Sequence, residues 1–295
     1  MKILVIGSEG FIGKSLVRYL QLRQHDIWCA DIQKKTGCSE YFQTIAPEAF
    51  DDIFQNNQFE VCINCAGSAS VPFSISEPLI DFTLNVHLVA NILNAIQKWN
   101  NNCKFLQLSS AAVYGNPKTL PIPENATLSP VSPYGVHKMH AEQICQYFYR
   151  YFKVQTAIVR VFSAYGTGLK KQLFWDVFNR IESNGSLQFF GTGNETRDFI
   201  NIDDVTRAIG FVADKGTFEG NIYNLAAGKQ TTIRDAIQSF LEVLKCDRPI
   251  TFSGENRIGD PLFWEADIRK ISALGFSPQV SLKEGLKNYA LWLKG

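Results

Sequence analysis

Tyr134 and Lys138 stand four residues apart in the run Tyr134-Gly135-Val136-His137-Lys138. On a helix that spacing puts a phenol and an ammonium on one face. A phenol is a poor base by itself, because at a reference pKa of ~10 only about 0.1% is ionised at pH 7. Lowering that value by ~3 units takes about 4 kcal/mol of preference for the phenolate. An ammonium ~4 Å away in a partly shielded site supplies about that much at an effective dielectric near 20, and does not in bulk water. The pair therefore suits proton exchange with an alcohol only inside a cleft. Elsewhere Tyr-x-x-x-Lys is an ordinary helix face. Ser109 and Ser110 close the apolar run from Phe105 to Leu108. A hydroxyl there can donate to a substrate oxygen while Tyr134 exchanges the proton. Read alone, the same serines are equally a cap on a strand or turn.

A second group of residues supplies the cleft. Gly7-Ser8-Glu9-Gly10-Phe11-Ile12-Gly13 follows the first apolar run and opens a helix-like stretch. Glycines at this spacing let the backbone turn tightly and approach a pyrophosphate, which the helix N-terminus then holds through free N–H groups. Asp31 ends the next apolar run, where an acidic side chain meets the adenosine ribose hydroxyls. A carboxylate also repels a 2′-phosphate, so NAD is expected over NADP, with Lys34 and Lys35 near enough to blunt that preference. A bound oxidised nicotinamide would add a second positive charge beside Tyr134.

These residues need a sheet to hold them. Ile3 to Ile6, Ile27 to Ala30, Val61 to Ala66, Phe105 to Leu108 and Thr156 to Val161 read as buried strands. Their near-continuous apolar character fits a parallel sheet covered on both faces. Leu16, Val17 and Leu20 form one helical face. Leu84, Leu88, Ile92 and Ile96 form another that reaches Trp99, and Tyr134 to Tyr151 is a third. The alternation predicts an α/β fold with a doubly wound parallel sheet. After Val161 the pattern loosens around Gly166-Thr167-Gly168 and Gly191-Thr192-Gly193, which reads as a smaller C-terminal α+β substrate domain. The expected division is residues 1–165 and 166–295, with the segment near 199–222 returning to the first part.

Composition excludes several classes. A chain of 295 residues can bury a sizeable core without staples. Its 29 basic and 28 acidic residues leave a net charge of +1, so the electrostatic case for nucleic-acid binding is absent. No apolar run in the sequence approaches the ~18–20 residues of a membrane span, and the start of the chain lacks the pattern of a secretory signal. Seven scattered cysteines read as buried free thiols in a reducing cytosol.

Taken together, the chain resembles the extended short-chain dehydrogenase/reductases, in particular the sugar-nucleotide epimerase/dehydratase branch. The resemblance covers nearly the whole chain. It rests on the glycine opening, Asp31, Asn64-Cys65-Ala66-Gly67, Asn85, Ser109 through Gly115, Ser132-Pro133-Tyr134 with Lys138, Gly191 through Phe199 and Arg257-Ile258-Gly259-Asp260. It implies a Rossmann-type domain, with Tyr134 as acid/base, Lys138 as its partner and ribose ligand, and Ser110 as the hydroxyl partner of the substrate. Cofactor contacts are implied at Gly7, Gly10, Phe11, Ile12, Gly13, Asp31, Ala66 and Gly67. Substrate contacts are implied at Ser110, Ser163, Arg197, Arg257 and Asp260. The two arginines would clamp a diphosphate, which suits a planar guanidinium. Read without the resemblance, either arginine is a surface ion pair.

Three departures qualify the match. Where 4,6-dehydratases carry an Asp–Glu pair, this chain has Ala111 and Ala112, which cannot move a proton. Ser163 replaces a common Asn in Arg160-Val161-Phe162-Ser163 and reaches less far. The stretch from Tyr41 to Ile45 offers no acidic residue for the adenine.

Cys62 and Cys65 read as strand residues and not a redox or zinc pair. His137 and His140 read as surface or packing residues without further metal ligands, and no metal is expected. Tyr147, Phe148, Tyr149, Tyr151 and Phe152 read as packing, and the resemblance implies that this helix and the one ending at Trp99 build a homodimer. The expectation is a cytoplasmic, NAD-dependent nucleotide-sugar 4-epimerase that binds neither membrane nor nucleic acid. The rival is a 4-keto-6-deoxysugar reductase, favoured by the compact C-terminal part as Asp31 favours the epimerase. A non-catalytic NAD-sensing regulator is a third reading, disfavoured by the intact Tyr134, Lys138 and Ser110.

Overall fold

The computed structural model describes residues 1–33, 38, 40–44, 49–255, 257 and 259–295. Lys34, Lys35, Ile45 and Ile258 lie outside the described residues. The strands are β1 (Lys2–Ile6), β2 (Asp26–Asp31), β3 (Glu40–Gln43), β4 (Val61–Asn64), β5 (Lys104–Ser110), β6 (Thr156–Val161), β7 (Ser163–Tyr165), β8 (Gln188–Phe189), β9 (Thr196–Asn201), β10 (Glu219–Leu225), β11 (Gln230–Thr232) and β12 (Thr251–Phe252). Seven of them form one sheet in the order β10-β6-β5-β4-β1-β2-β3, every pair parallel. The winding direction reverses between β1 and β4. Such a switch point opens a crevice at the carboxyl ends of the strands. Gly7, Cys65 and Ala111 each directly follow one of those ends.

The helices are α1 (Phe11–Leu22), α2 (Ala49–Asn56), α3 (Val71–Ser76), α4 (Pro78–Phe82), α5 (Leu88–Trp99), α6 (Pro133–Tyr147), α7 (Gln172–Glu182), α8 (Ile202–Lys215), α9 (Ile233–Leu244), α10 (Arg269–Ser272) and α11 (Leu282–Lys294). Strand side chains alternate in direction, so the continuous apolar runs feed two cores. Ile3, Val5, Ile63 and Leu106 pack against Leu16 and Leu20 of α1 and Val205 and Ile209 of α8. Leu4, Ile6, Cys62 and Phe105 pack against Ile92 and Ile96 of α5 and Ala141 and Cys145 of α6. A third core joins Phe174 and Val177 of α7 to Phe240 of α9 and Leu286 and Tyr289 of α11.

Three sequence expectations are corrected. α4, a π-helical turn at Thr83–His87 and α5 form one helix, Pro78–Trp99. By length and composition this 22-residue helix is long and apolar enough to cross a membrane, although no uninterrupted apolar run marks it. Its inner face, at Val89, Ile92, Leu93 and Ile96, is buried on the sheet. Second, Cys29 of β2 and Cys38 before β3 form a disulfide, because the parallel pairing of β2 and β3 brings them together. Cys62, Cys65, Cys103, Cys145 and Cys246 are free. Third, Cys65 lies just beyond β4 rather than inside it.

Candidate active site

Ser132 accepts from the Gly135 N–H at 3.2 Å, and Pro133 occupies the first helical position. This cap starts α6 one residue before Tyr134. The Tyr134 N–H is held by Ser74 Oγ of α3 at 3.0 Å. One turn on, the buried Lys138 ammonium donates to the Leu108 carbonyl of β5 at 3.3 Å and sits 6.0 Å from the centre of the Tyr134 ring. Ser110 Oγ accepts from the Ala112 N–H at 3.2 Å, capping the short turn Ala111–Val113, and also hydrogen-bonds the Tyr134 phenol. Ser110 thus acts both as a cap and as the phenol's partner.

The electrostatics differ from the sequence expectation. Burial pushes the Tyr134 phenol up to about 12, and Asp81 pushes the same way, while the Ser110 hydrogen bond opposes them. Burial also pulls the Lys138 ammonium down to about 8, against the pull of Asp81 and Glu142. At 6.0 Å from the ring, Lys138 does not outweigh the lost hydration. Within the chain itself the phenol is therefore the proton-bearing form, and a further cation is needed to draw the proton off.

The framework behind the pair escaped the sequence reading. Glu142, one turn beyond Lys138 on the same face, accepts from Arg160 Nε at 2.9 Å and Nη2 at 2.7 Å and from Ser109 Oγ at 2.5 Å. Arg160 also donates to Tyr114 Oη at 2.7 Å. The regular spacing Tyr134, Lys138, Glu142 was the available signal. Asn85 sits in the π-helical turn, where its N–H₂ donates to the Asp81 carbonyl at 3.1 Å and its buried Oδ1 has no partner among the described residues. Such turns recur at functional sites. A Cβ at Gly67 would lie 2.7 Å from that oxygen and 3.5 Å from Lys138 Nζ, so all three converge.

The glycine opening fits a dinucleotide. No side chain caps α1 at Gly10, which leaves the first N–H groups of the helix for an anion. Gly7 has φ +77°, and a Cβ there would lie 2.5 Å from the Ala66 nitrogen. A Cβ at Gly13 would strike the Gly7 carbonyl. Asp31 is buried at the end of β2 and accepts from the Glu9 N–H at 2.9 Å and the Gln33 N–H at 3.0 Å. The Glu9 carboxylate stands near the same edge, since both acids raise the Tyr41 phenol. Glu9 is paired with Lys14 at 3.2 Å, so Asp31 is the carboxylate that disfavours a 2′-phosphate.

One cleft of about 820 Å³ joins this opening to the C-terminal part. Gly10, Phe11, Ile12, Ala66, Gly67, Ser110, Tyr134 and Lys138 line one end, and Ser163, Arg197, Arg257 and Asp260 line the other. Gly7, Gly13 and Asp31 lie outside that lining, Gly7 and Gly13 within the turn that shapes it. Arg197 stacks over Trp264 at 5.5 Å and donates to the Thr196 carbonyl at 2.9 Å. Among the described residues no carboxylate lies within ion-pair distance of it, and burial lowers its pKa. Arg257 is exposed, 3.4 Å from Asp260, which is the neighbouring ion pair anticipated as its alternative. Lys171, absent from the sequence reading, also lines the cleft, and burial lowers its pKa.

The model of the NAD dependent epimerase/dehydratase family matches residues 3–226. This chain belongs to that family. A Methanocaldococcus jannaschii protein, provisionally a UDP-glucose 4-epimerase, is 30% identical over 99% of this chain and 98% of its own. The Thermotoga maritima UDP-glucose 4-epimerase, solved with UDP-glucose, superposes with a TM-score of 0.91 at 27% identity, covering 100% and 99% of the two chains. A Bacillus cereus UDP-glucuronic acid 4-epimerase, solved with UDP-glucuronic acid and NAD, superposes at 0.89 with 26% identity and the same coverage. The family's cofactor is NAD, and the glycine turn and Asp31 of this chain fit it.

Proposed function

We propose that this protein is an NAD-dependent nucleotide-sugar 4-epimerase. The observation that carries the reading is the single cleft, with the Tyr134, Lys138 and Ser110 group at the dinucleotide end and Arg197 and Arg257 at the other. The two superposed structures with UDP-sugars support it. Residues 1–165, with the returning segment near 199–222, hold the cofactor in this reading, and residues 166–295 hold the nucleotide sugar. NAD, when bound, accepts a hydride from a sugar carbon and returns it.

The chain's own residues do the rest. Arg197 and Arg257 bind the diphosphate and fix the sugar's reach into the cleft. Tyr134 takes the proton of the C4 hydroxyl and later returns it to the same oxygen, while Ser110 donates to that oxygen. Lys138 holds positive charge beside the phenol and binds the ribose. Ala111 and Ala112 leave no acid to eliminate water, which sets this site apart from a dehydratase.

A homodimer and a cytosolic location belong to the same proposal; the five free cysteines favour that location and the Cys29–Cys38 disulfide weighs against it. Leu79 is 81% exposed and Ile80 50% on α4, and Tyr151 is 70% exposed beyond α6. A second copy of the chain would cover these apolar side chains.

The test is the purified protein. NAD should be extractable from it, and UDP-glucose or UDP-glucuronate should epimerise without added coenzyme. A protein free of nucleotide that oxidises NADH or NADPH with a 4-keto sugar would be a reductase instead.

A further inference from the structure

His137, between the two members of the candidate pair in sequence, is not a surface residue. Its Nδ1 lies 2.7 Å from Asp81 Oδ2, with the Asp81 side chain fully buried and the imidazole only 11% exposed. Phe82 covers the imidazole edge-on at 5.5 Å. The second carboxylate oxygen of Asp81 is buried and has no hydrogen-bond partner among the described residues. A buried carboxylate with one free oxygen acts on whatever charge lies nearby, because little water is present to screen it.

We propose that the buried Asp81–His137 pair is the electrostatic counterweight of Tyr134 and Lys138, holding the Lys138 ammonium charged and setting the pH at which Tyr134 releases its proton. The roles of Tyr134 and Lys138 are those of the function proposed above. Asp81 and His137 touch no substrate in this scheme and are positioning residues. Asp81 stabilises the ammonium and opposes the phenolate, as the directions of its effects on Lys138 and Tyr134 indicate. His137 screens the carboxylate and limits both effects. The other titratable groups around the pair are placed differently. On α6, Glu142 is committed to Arg160, and His140 is half-buried. Glu77 ahead of α4 and His87 in the π-helical turn are exposed. Cys65, beyond β4, is a thiol pushed up to about 12 by burial, so it is neutral near pH 7.

The test reads Lys138 directly. With lysine labelled by ¹³C at Cε, its NMR signal is identified by its loss in Lys138→Met and titrated in the protein stripped of cofactor. Asp81→Asn should lower the midpoint by about one pH unit, a tenfold change in the ammonium-to-amine ratio. His137→Ala should raise it, and this variant decides the matter if Asp81→Asn does not fold. A folded variant of either kind whose midpoint stays within about 0.2 of wild type overturns the proposal. In the loaded enzyme, Asp81→Asn should move both limbs of the kcat–pH profile to lower pH. A merely structural role would reduce kcat with both limbs in place. The titration needs no turnover, so it stands apart from the acid/base reading, which fails only if Tyr134→Phe keeps normal turnover.

Discussion

Lys138 keeps an almost fully buried ammonium in the wall of the cleft, and its depressed pKa makes that a statement about stability. Its ordinary value near 10.5 falls to about 8 on folding, mainly by burial. Between those two pH values the unfolded chain holds a proton that the folded chain has shed, so stability rises with pH across that window. Below pH 8 the cost of the buried charge is fully present. Lys138→Met should therefore stabilise the cofactor-free protein at pH 7 by about 1–3 kcal/mol, and the gain should vanish above pH 10.5. Urea unfolding at the two pH values measures it. The same substitution should weaken NAD binding and turnover. At the far end of the cleft, Arg197 is fixed over Trp264 while Arg257 is exposed and paired with Asp260. Arg197→Ala should raise KM more than Arg257→Ala, with a smaller loss of kcat in both. A loss confined to kcat would move them from binding into chemistry.

α6 is the element on which the site depends, and it is tied down along its length. Ser132 fixes its start, Lys138 bonds to β5, and Glu142 bonds to Arg160 of β6 and Ser109 of β5. Arg160 and Glu142 are both almost fully buried. Removing one partner strands the other charge, which typically costs 3–5 kcal/mol. Arg160→Met should lower unfolding stability by about that much and loosen the register of α6 on the sheet. The glycine turn is constrained in a different way, by contact rather than charge. Gly13→Ala should abolish NAD retention, because its Cβ would meet the Gly7 carbonyl. Calorimetric titration with NAD reads that loss, and circular dichroism shows whether the fold survives.

At the scale of the molecule, the two sequence-distant ends of the cleft meet because the chain returns to the first sheet. β10 pairs with β6, and α8 packs beside α1 in the same core. β9 pairs in parallel with β7, which sets Phe199, two residues after Arg197, beside Ser163. α4 packs on the start of α6, and it and the turn that follows α6 both carry exposed apolar side chains, Leu79 and Ile80 on the one and Tyr151 on the other. Leu79→Asp should convert the proposed dimer to monomer without changing the fold. Sedimentation at several concentrations tests this, and a wild-type protein that stays monomeric at high concentration would refute the dimer.

The sequence by itself determined the parallel sheet, since strands buried on both faces must be apolar throughout, as Ile3 to Ile6 and Thr156 to Val161 are. It also determined the dinucleotide turn and the Tyr134–Lys138 helix, because both are local patterns whose spacing fixes their geometry. Charge is not local. That Tyr134 is pushed up rather than down follows from burial and from Asp81, which is 53 residues away in the chain. The cysteine pairing of Cys29 with Cys38 depends on strand register, and the Glu142–Arg160 bond on the packing of α6 over β6. His137 reads as a bland helix residue until α4 delivers a buried carboxylate to its ring. Only the tertiary structure decides such contacts, because distance and solvent access, which set electrostatic strength, are properties of the packed chain.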